Sequence, residues 1–388
     1  MNKLGVLFAG AALVGVIACG TNNEATPNTA GAGAAGTGAA GVSGSAGAGG
    51  WPGSAAAGGA AGMGGGLGGA GAGAAGAAGE PSGGAAGHDS SGGAGGEGGG
   101  TTKLPASKRF DLTQPSYDLF RQKVLHGQHH VMQSFTFDNQ NRRLFVAQLQ
   151  DGTSGDDLCI SQLSFSGELL GYMHLNGAGH GVSIGVEPVG SDSYLWVETD
   201  SSNTTDSGRG TALLRFKFAD RKTPTGKKFL TGSKTITCAT DPVNQRIAIR
   251  RSEGGEMYYS IFPLESAARG DFSQPLARFP QPALSGSAVV FQGYTIYGQY
   301  LYTLDGTGHA DAADINSYVT AIDMLTGKVK SRALTKAGKS LVFREPEGMA
   351  IYRTTAGETR LFLGFASRDT LSGSDRYANL FYKNVLID

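Results

Sequence analysis

Five polar side chains recur at the head of one repeating pattern. They are Gln133 in "QSFTF", His180 in "HGVSI", Thr237 in "TCATD", Gln292 in "QGYTI" and Glu347 in "EGMAI", spaced by 47, 57, 55 and 55 residues. Amide, imidazole, hydroxyl and carboxylate groups gathered at one place could form many hydrogen bonds to a hydroxyl-rich ligand. Tyr294, Arg344, Glu345, Asp305 and His130 stand close to these positions in sequence or on the loops expected to meet them. Arg344 or a histidine would suit a phosphate. Glu345 and Glu347 are two residues apart, so on an extended strand they share a face and could give paired-carboxylate chemistry. Glycoside hydrolysis needs two carboxyls at a defined separation. Arg344 beside them suggests ion pairing instead, and Pro346 disturbs the strand. The "HGQHH" run, with His126, His129 and His130, could serve acid and base chemistry, although a histidine cluster in a loop is more often hydrogen-bonded or exposed. No CxxC or HExxH spacing occurs, so neither a metal site nor a cofactor is expected.

Each ring residue opens a short apolar run that is followed by a turn and a second run. The turns are "DNQNRR", "EPVGSDS", "DPVNQR", "YGQ" and "RTTAGET", and the second runs are "LFVAQL", "YLWVET", "IAIR", "YLYTL" and "LFLGFAS". Strand formers alternate with Asn, Asp, Gly and Pro turns, and no stretch keeps a long helical period, so the domain is expected to be all-β. Further pairs such as "LCISQLSF" with "LLGYMHL" and "YVTAIDM" with "KVKSRAL" bring each repeat to four strands, the blade of a β-propeller. The fifth repeat ends at "ANLFYKNVLI" without a fourth strand. "YDLFRQKVL", residues 117 to 125, precedes the first repeat and can complete it, giving a five-bladed propeller with a closed ring.

In a blade the innermost strand lines the central channel, and the loop entering it opens on the same face as the loop leaving the second strand. The five repeat heads are therefore expected to ring one channel mouth. A rim from the leaving loops would hold Asp151, Glu198, Asp200, Arg250, Asp305, His309, Arg368 and Asp369. Glu187 and Asp241 precede Pro at the turns after the inner strands and are expected at the opposite face.

The remaining sequence concerns export. "MNKLGVLFAGAALVGVIACG" has Lys3, an apolar run and small residues before Cys19, and is too short to span a bilayer. Residues 1–18 thus read as a lipoprotein signal peptide, with Cys19 the lipidated first residue of an exported chain held by a membrane anchor, at an outer membrane or cell surface. Of the 64 glycines, 32 lie between Gly31 and Gly100 among Ala and Ser, so residues 19–104 are expected to form a disordered linker and residues 105–388 the propeller domain. Cys159 and Cys238 fall in non-adjacent repeats and are expected to be two buried thiols. The formal net charge is +0, which speaks against a nucleic-acid partner. A monomer is expected.

"RFDLTQPSYDLFRQKVLH", "MQSFTFDN", "GHGVSIGVEP", "FQGYTIYG" and "FREPEGMA" resemble, in order, segments of the teichoic acid biosynthesis protein C family and of the propeller platform of phage receptor-binding tail proteins. The resemblance covers about Arg109 to Lys383. It implies a propeller and a cell-surface glycopolymer as ligand class, and brings no catalytic residue with it. The lipoprotein signal peptide and linker depart from the phage proteins and put a role in a phage particle in doubt. Three functions then compete: a glycan-binding propeller, an exported hydrolase or lyase using Glu345, Glu347, His130 or His180, and a protein-docking platform.

Overall fold

Turn chemistry sets the frame. At the first hairpin Asp138 accepts hydrogen bonds from the Asn141 N–H at 2.9 Å and from the Asn141 side chain at 2.9 Å, and Arg142 takes a left-handed φ of 54°. Asp241 does the same for its hairpin, accepting from the N–H groups of Val243 and Asn244, with Gln245 at a φ of 53°. Asx geometry of this kind reverses the chain in a few residues. The computed structural model describes residues 104–127, 129–150, 156–201, 208–284, 290–310 and 314–388. The expected signal peptide, Cys19, the linker up to residue 103 and Asp151 lie outside the described residues.

Two strands, β1 (Arg109–Phe110) and β2 (Tyr117–Lys123), precede the first repeat. Blade one follows as β3 (Met132–Asp138), β4 (Arg143–Leu149), β5 (Leu158–Leu163) and β6 (Leu169–Leu175). Blade two is β7 (Gly185–Val189), β8 (Asp192–Ser201), β9 (Gly210–Lys217) and β10 (Gly226–Phe229). Blade three is β11 (Ile236–Asp241), β12 (Arg246–Glu253), β13 (Glu256–Pro263) and, after the short helix α1 (Leu264–Arg269), β14 (Ala277–Pro280). Blade four is β15 (Phe291–Tyr297), β16 (Tyr300–Asp305), β17 (Tyr318–Asp323) and β18 (Lys328–Leu334). Blade five is β19 (Val342–Arg353), β20 (Thr359–Arg368) and β21 (Tyr377–Lys383), and β2 pairs antiparallel with β21 to complete it. The last strand, β22 (Leu386–Ile387), pairs with β1.

The five-bladed propeller and its closure by an N-terminal strand are thus as the repeats imply. The β1–β22 pair and α1 were not legible, because two-residue strands and a six-residue helix leave no period to detect. Inner strands touch one another around the ring: β3 meets β7 and β19, β11 meets β7 and β15, and β15 meets β19. The core is divided into five apolar clusters, one between each pair of neighbouring blades. β3 and β11 are accordingly buried at every position, while β18, an outer strand, is exposed or half-buried and carries Lys328, Lys330 and Arg332. Charges of this kind keep an open edge from pairing with another chain. Cys159 in blade one and Cys238 in blade three are buried and unbonded to each other, and burial pushes the Cys159 thiol up to about 12.

Candidate functional site at the channel mouth

The small residues behind the ring positions explain how five strands converge. A Cβ on Gly293 would lie 2.8 Å from Gly348 Cα and 2.9 Å from the Val182 carbonyl, and one on Gly348 would lie 2.6 Å from Ser134 Cα. Both glycines have positive φ, 136° and 77°. Side chains there would push the inner strands apart.

The same crowding distorts the ladders. Register shifts fall between Met132 and Ser134, between Phe291 and Gly293, and between Pro346 and Met349. Gln133, Gln292 and Glu347 therefore sit in β-bulges, which release a residue from ladder pairing and re-aim its side chain. His180 lies just before β7, and Thr237 pairs with Arg250 in regular register. The bulge also corrects the paired-carboxylate expectation: alternation is broken between Glu345 and the strand beyond Gly348, so sequence spacing does not put Glu345 and Glu347 on one face.

All five ring side chains are buried, His180 most exposed at 6%. Gln133 donates to the Met132 carbonyl at 3.2 Å, yet its Oε1 has no partner among the described residues. Gln292 donates to the Gly306 carbonyl at 3.2 Å. Thr237 gives its carbonyl to the Tyr294 hydroxyl at 3.0 Å, while its own Oγ1 has no partner among the described residues. Tyr294 is fully buried, spends its hydroxyl on the carbonyls of Thr237 and Ala248, and so ties blade four to blade three instead of facing the mouth.

Arg344 is likewise wholly buried. It donates to the carbonyls of Ala337 and Thr335 and to Ser317, stacks over Phe365 at 3.9 Å and reaches His309 at 3.3 Å. Burial pushes its guanidinium down to about 9. It is not the ion-pair partner of Glu345. Burial raises the Glu345 carboxyl, and Arg368 and Arg376 oppose that rise. Arg368 lies over Phe343 at 3.9 Å, and Phe343 holds a strained φ of 51°.

Around the rest of the mouth, Glu198 accepts the N–H groups of Gly181 and Gly210, each at 2.6 Å. Its burial raises its carboxyl; Arg209, those two N–H groups and Arg250 act against this. Arg250 lies 4.0 Å over the Phe291 ring and donates through Nε to Gln281 at 2.7 Å. Asp305 is 2% exposed and receives both arms of Arg332, each at 2.6 Å. Between blades three and four a cleft of about 540 Å³ opens, lined by Phe291, Thr303, Asp305 and Met257 among others. Of these only Asp305 was singled out from the sequence; the aromatic in "FQGYTI" was the available signal for Phe291.

The histidines separate. His126 stacks on Tyr172 at 3.4 Å, away from the axis, and burial lowers its pKa, with His174 and Arg221 acting in the same direction. His129 meets Asp375 at 3.3 Å. His130 N–H bonds the Gly127 carbonyl at 3.2 Å. Among the described residues no group of three or more His, Cys, Asp or Glu side chains could hold a metal ion.

A family model for the phage 5-bladed beta propeller receptor binding platform domain matches residues 131–382, from the strand that carries Gln133 to the end of blade five. The chain belongs to that family. The chain is 27% identical over 299 residues to a Bacillus subtilis (strain 168) protein named for teichoic acid biosynthesis, protein C; the match takes in 71% of this chain and 65% of that relative's length. Solved structures similar to the platform include Bacteroides ovatus xyloglucan PUL GH43B, with a TM-score of 0.43, 9% identity and coverage of 67% of this chain and 53% of that one. Another is the catalytic domain of Coprinopsis cinerea GH62 α-L-arabinofuranosidase, with a TM-score of 0.41, 13% identity and coverage of 72% and 98%. Likeness at that level carries no argument about activity.

Proposed function

We propose that the chain is an exported glycan-binding protein, anchored by lipid on Cys19, that holds a cell-surface glycopolymer against the mouth of its propeller. The polymer would be a polyol-phosphate or sugar chain. One observation carries this reading. Among the described residues, most buried polar atoms without partners lie at the mouth, Gln133 Oε1, Thr237 Oγ1, Arg209 Nη1 and Arg368 Nε among them, while Ser116 Oγ and Ser331 Oγ lie elsewhere. A buried polar atom left unpaired costs about 1–3 kcal/mol, so a fold that keeps several at one end has a use for them. Hydroxyl groups could pair with the amide and the threonine, and a phosphate with the two arginines. Membership of a receptor-binding platform family and similarity to a protein named for teichoic acid biosynthesis support a glycopolymer as the partner.

The test is a glycan array with the full chain, with products followed by mass spectrometry. Saturable binding without turnover is expected, and Gln292→Ala should weaken it by about 1–3 kcal/mol if the amide is desolvated against the ligand. Release of shortened chains would move the reading to a hydrolase or lyase. Anchoring is tested separately: a clickable fatty acid should label the wild type and spare Cys19→Ser, and equal labelling of both would remove the anchor.

A further inference from the structure

The faces of blade four that look towards blade three can be followed strand by strand. Ile296, Leu301 and Ile322 are in register across β15, β16 and β17. Tyr294, Thr303 and Thr320 form the next row towards the mouth, and Phe291, Asp305 and Tyr318 the last. Polarity rises row by row. The first row packs in the apolar cluster with Tyr259 and Phe279 of blade three, and its Ile322 also lines the cleft. Tyr294 still ties β15 to blade three, but beside Thr303 and Asp305 on β16 the two blades part, and the 540 Å³ cleft occupies the gap.

Its walls differ in character. Met257, Pro280, Pro282 and the Phe291 ring supply apolar surface. Thr303 is 2% exposed and its Oγ1 has no hydrogen-bonding partner among the described residues. Asp305, two residues on, points to the same face of β16 about 7 Å away. Its two oxygens each hold one arm of Arg332, which leaves further lone pairs to accept hydroxyl donors. The ionisable side chains that line the cleft, Glu256 and Asp305, are both acidic. Arg250 stands over Phe291 with its Nε already given to Gln281.

From this juxtaposition we propose that the cleft between blades three and four is a subsite for a neutral, hydroxyl-bearing ring with one apolar face, such as a pyranose unit, and that it rejects phosphate. A sugar ring presents C–H groups on one face, which suit Phe, Pro and Met, and hydroxyls at its edge, which suit Thr303 and Asp305. An anionic group would meet carboxylates and no uncommitted cation among the described lining residues. The inference deepens the glycan-binding reading by naming the part of the polymer that enters here.

Saturation-transfer NMR on the purified full chain tests it, with methyl glucoside, methyl N-acetylglucosaminide and glycerol 3-phosphate as probes. A methyl glycoside should receive saturation and glycerol 3-phosphate should not. Ala283→Trp places an indole at the exposed lip of the cleft without touching the core, and should abolish the signal. Thr303→Val should raise Kd by about five- to tenfold while leaving the Tm unchanged or higher, because the lost hydroxyl had no partner in the free protein. A purely structural threonine would not show that combination. Absence of transfer to either glycoside, preference for the phosphate probe, or equal binding by Ala283→Trp would each overturn the proposal. Glycoside binding in the cleft by a chain that ignores every polymer on the array would instead sink the polymer reading and leave the subsite standing.

Discussion

The two ends of the propeller differ in how many buried polar atoms they leave unpaired, although Ser116 Oγ is unpaired at the turn face and Glu198 and Asp305 are paired at the mouth. At the turn face Asp241 is fully buried and accepts four hydrogen bonds, from the N–H groups of Val243, Asn244 and Gly298 and from the Asn244 side chain. Asp138 there accepts from Asn141 and from Ser193, and Glu187 takes two bonds from Arg215 and one from the Trp196 indole. At the mouth, Gln133, Thr237, Thr303, Arg209 and Arg368 each keep a buried atom with no partner among the described residues. Hairpins that fix the blades' register gain from complete pairing, whereas a surface that must pair with something else gains from holding atoms in reserve.

Breaking the turn face should have the largest effect. Asp241→Ala leaves four donors without their acceptor and should lower stability by about 3 kcal/mol or more, read as a fall in denaturation midpoint, with glycan affinity unchanged below the transition. An unaltered midpoint would mean that this face is not the structural end.

Lys383 is the exception that sharpens the contrast. It lies at the turn-face end of β21, is 3% exposed, and donates to the Gln114 carbonyl; burial pushes its ammonium down to about 8, with Asp111 opposing. Between pH 8 and its ordinary value near 10.5 the unfolded chain holds a proton that the native chain has lost. Stability should therefore rise with pH across that window, the full penalty being present below it. Lys383→Met should gain about 1–2 kcal/mol at neutral pH and flatten this rise, measured by urea unfolding at pH 7 and pH 10.

The smallest effect is expected at the ring. Thr237→Val removes a hydroxyl that has no partner, so stability should hold or increase by about 1 kcal/mol, opposite in sign to Asp241→Ala. A loss of stability would show that Thr237 Oγ1 is satisfied in the native protein and would weaken the mouth as a reserve of unpaired groups.

Sequence periodicity made the five inner strands visible because each repeats one order of polar, small and apolar residues, and the missing outer strand of blade five pointed to residues 117 to 125. The ring itself was legible, its burial was not. Gln133, Gln292 and Glu347 owe their placement to bulges, and a bulge depends on how closely Gly293 and Gly348 approach other blades. Tyr294 and Arg344 read as ligand-contacting groups because their partners, backbone carbonyls of Thr237, Ala248, Ala337 and Thr335, have no side-chain signature. The cleft has no sequence signature for a similar reason: Met257 and Thr303 become neighbours only when two blades pack.

The first described residues bear on how force would travel through the molecule. Leu104 is buried among Ile296, Ile322 and Met324, Ser107 receives the Gln299 N–H at 2.8 Å, and the Phe110 N–H bonds the Tyr302 hydroxyl at 3.0 Å. Gln299 belongs to the turn between β15 and β16, so the chain joins the domain at the end remote from the mouth. Tension arriving through residue 104 would first load these contacts and the β1–β22 clip, all made by residues that precede β2 in the chain. The strand that closes the ring is thereby spared the initial pull.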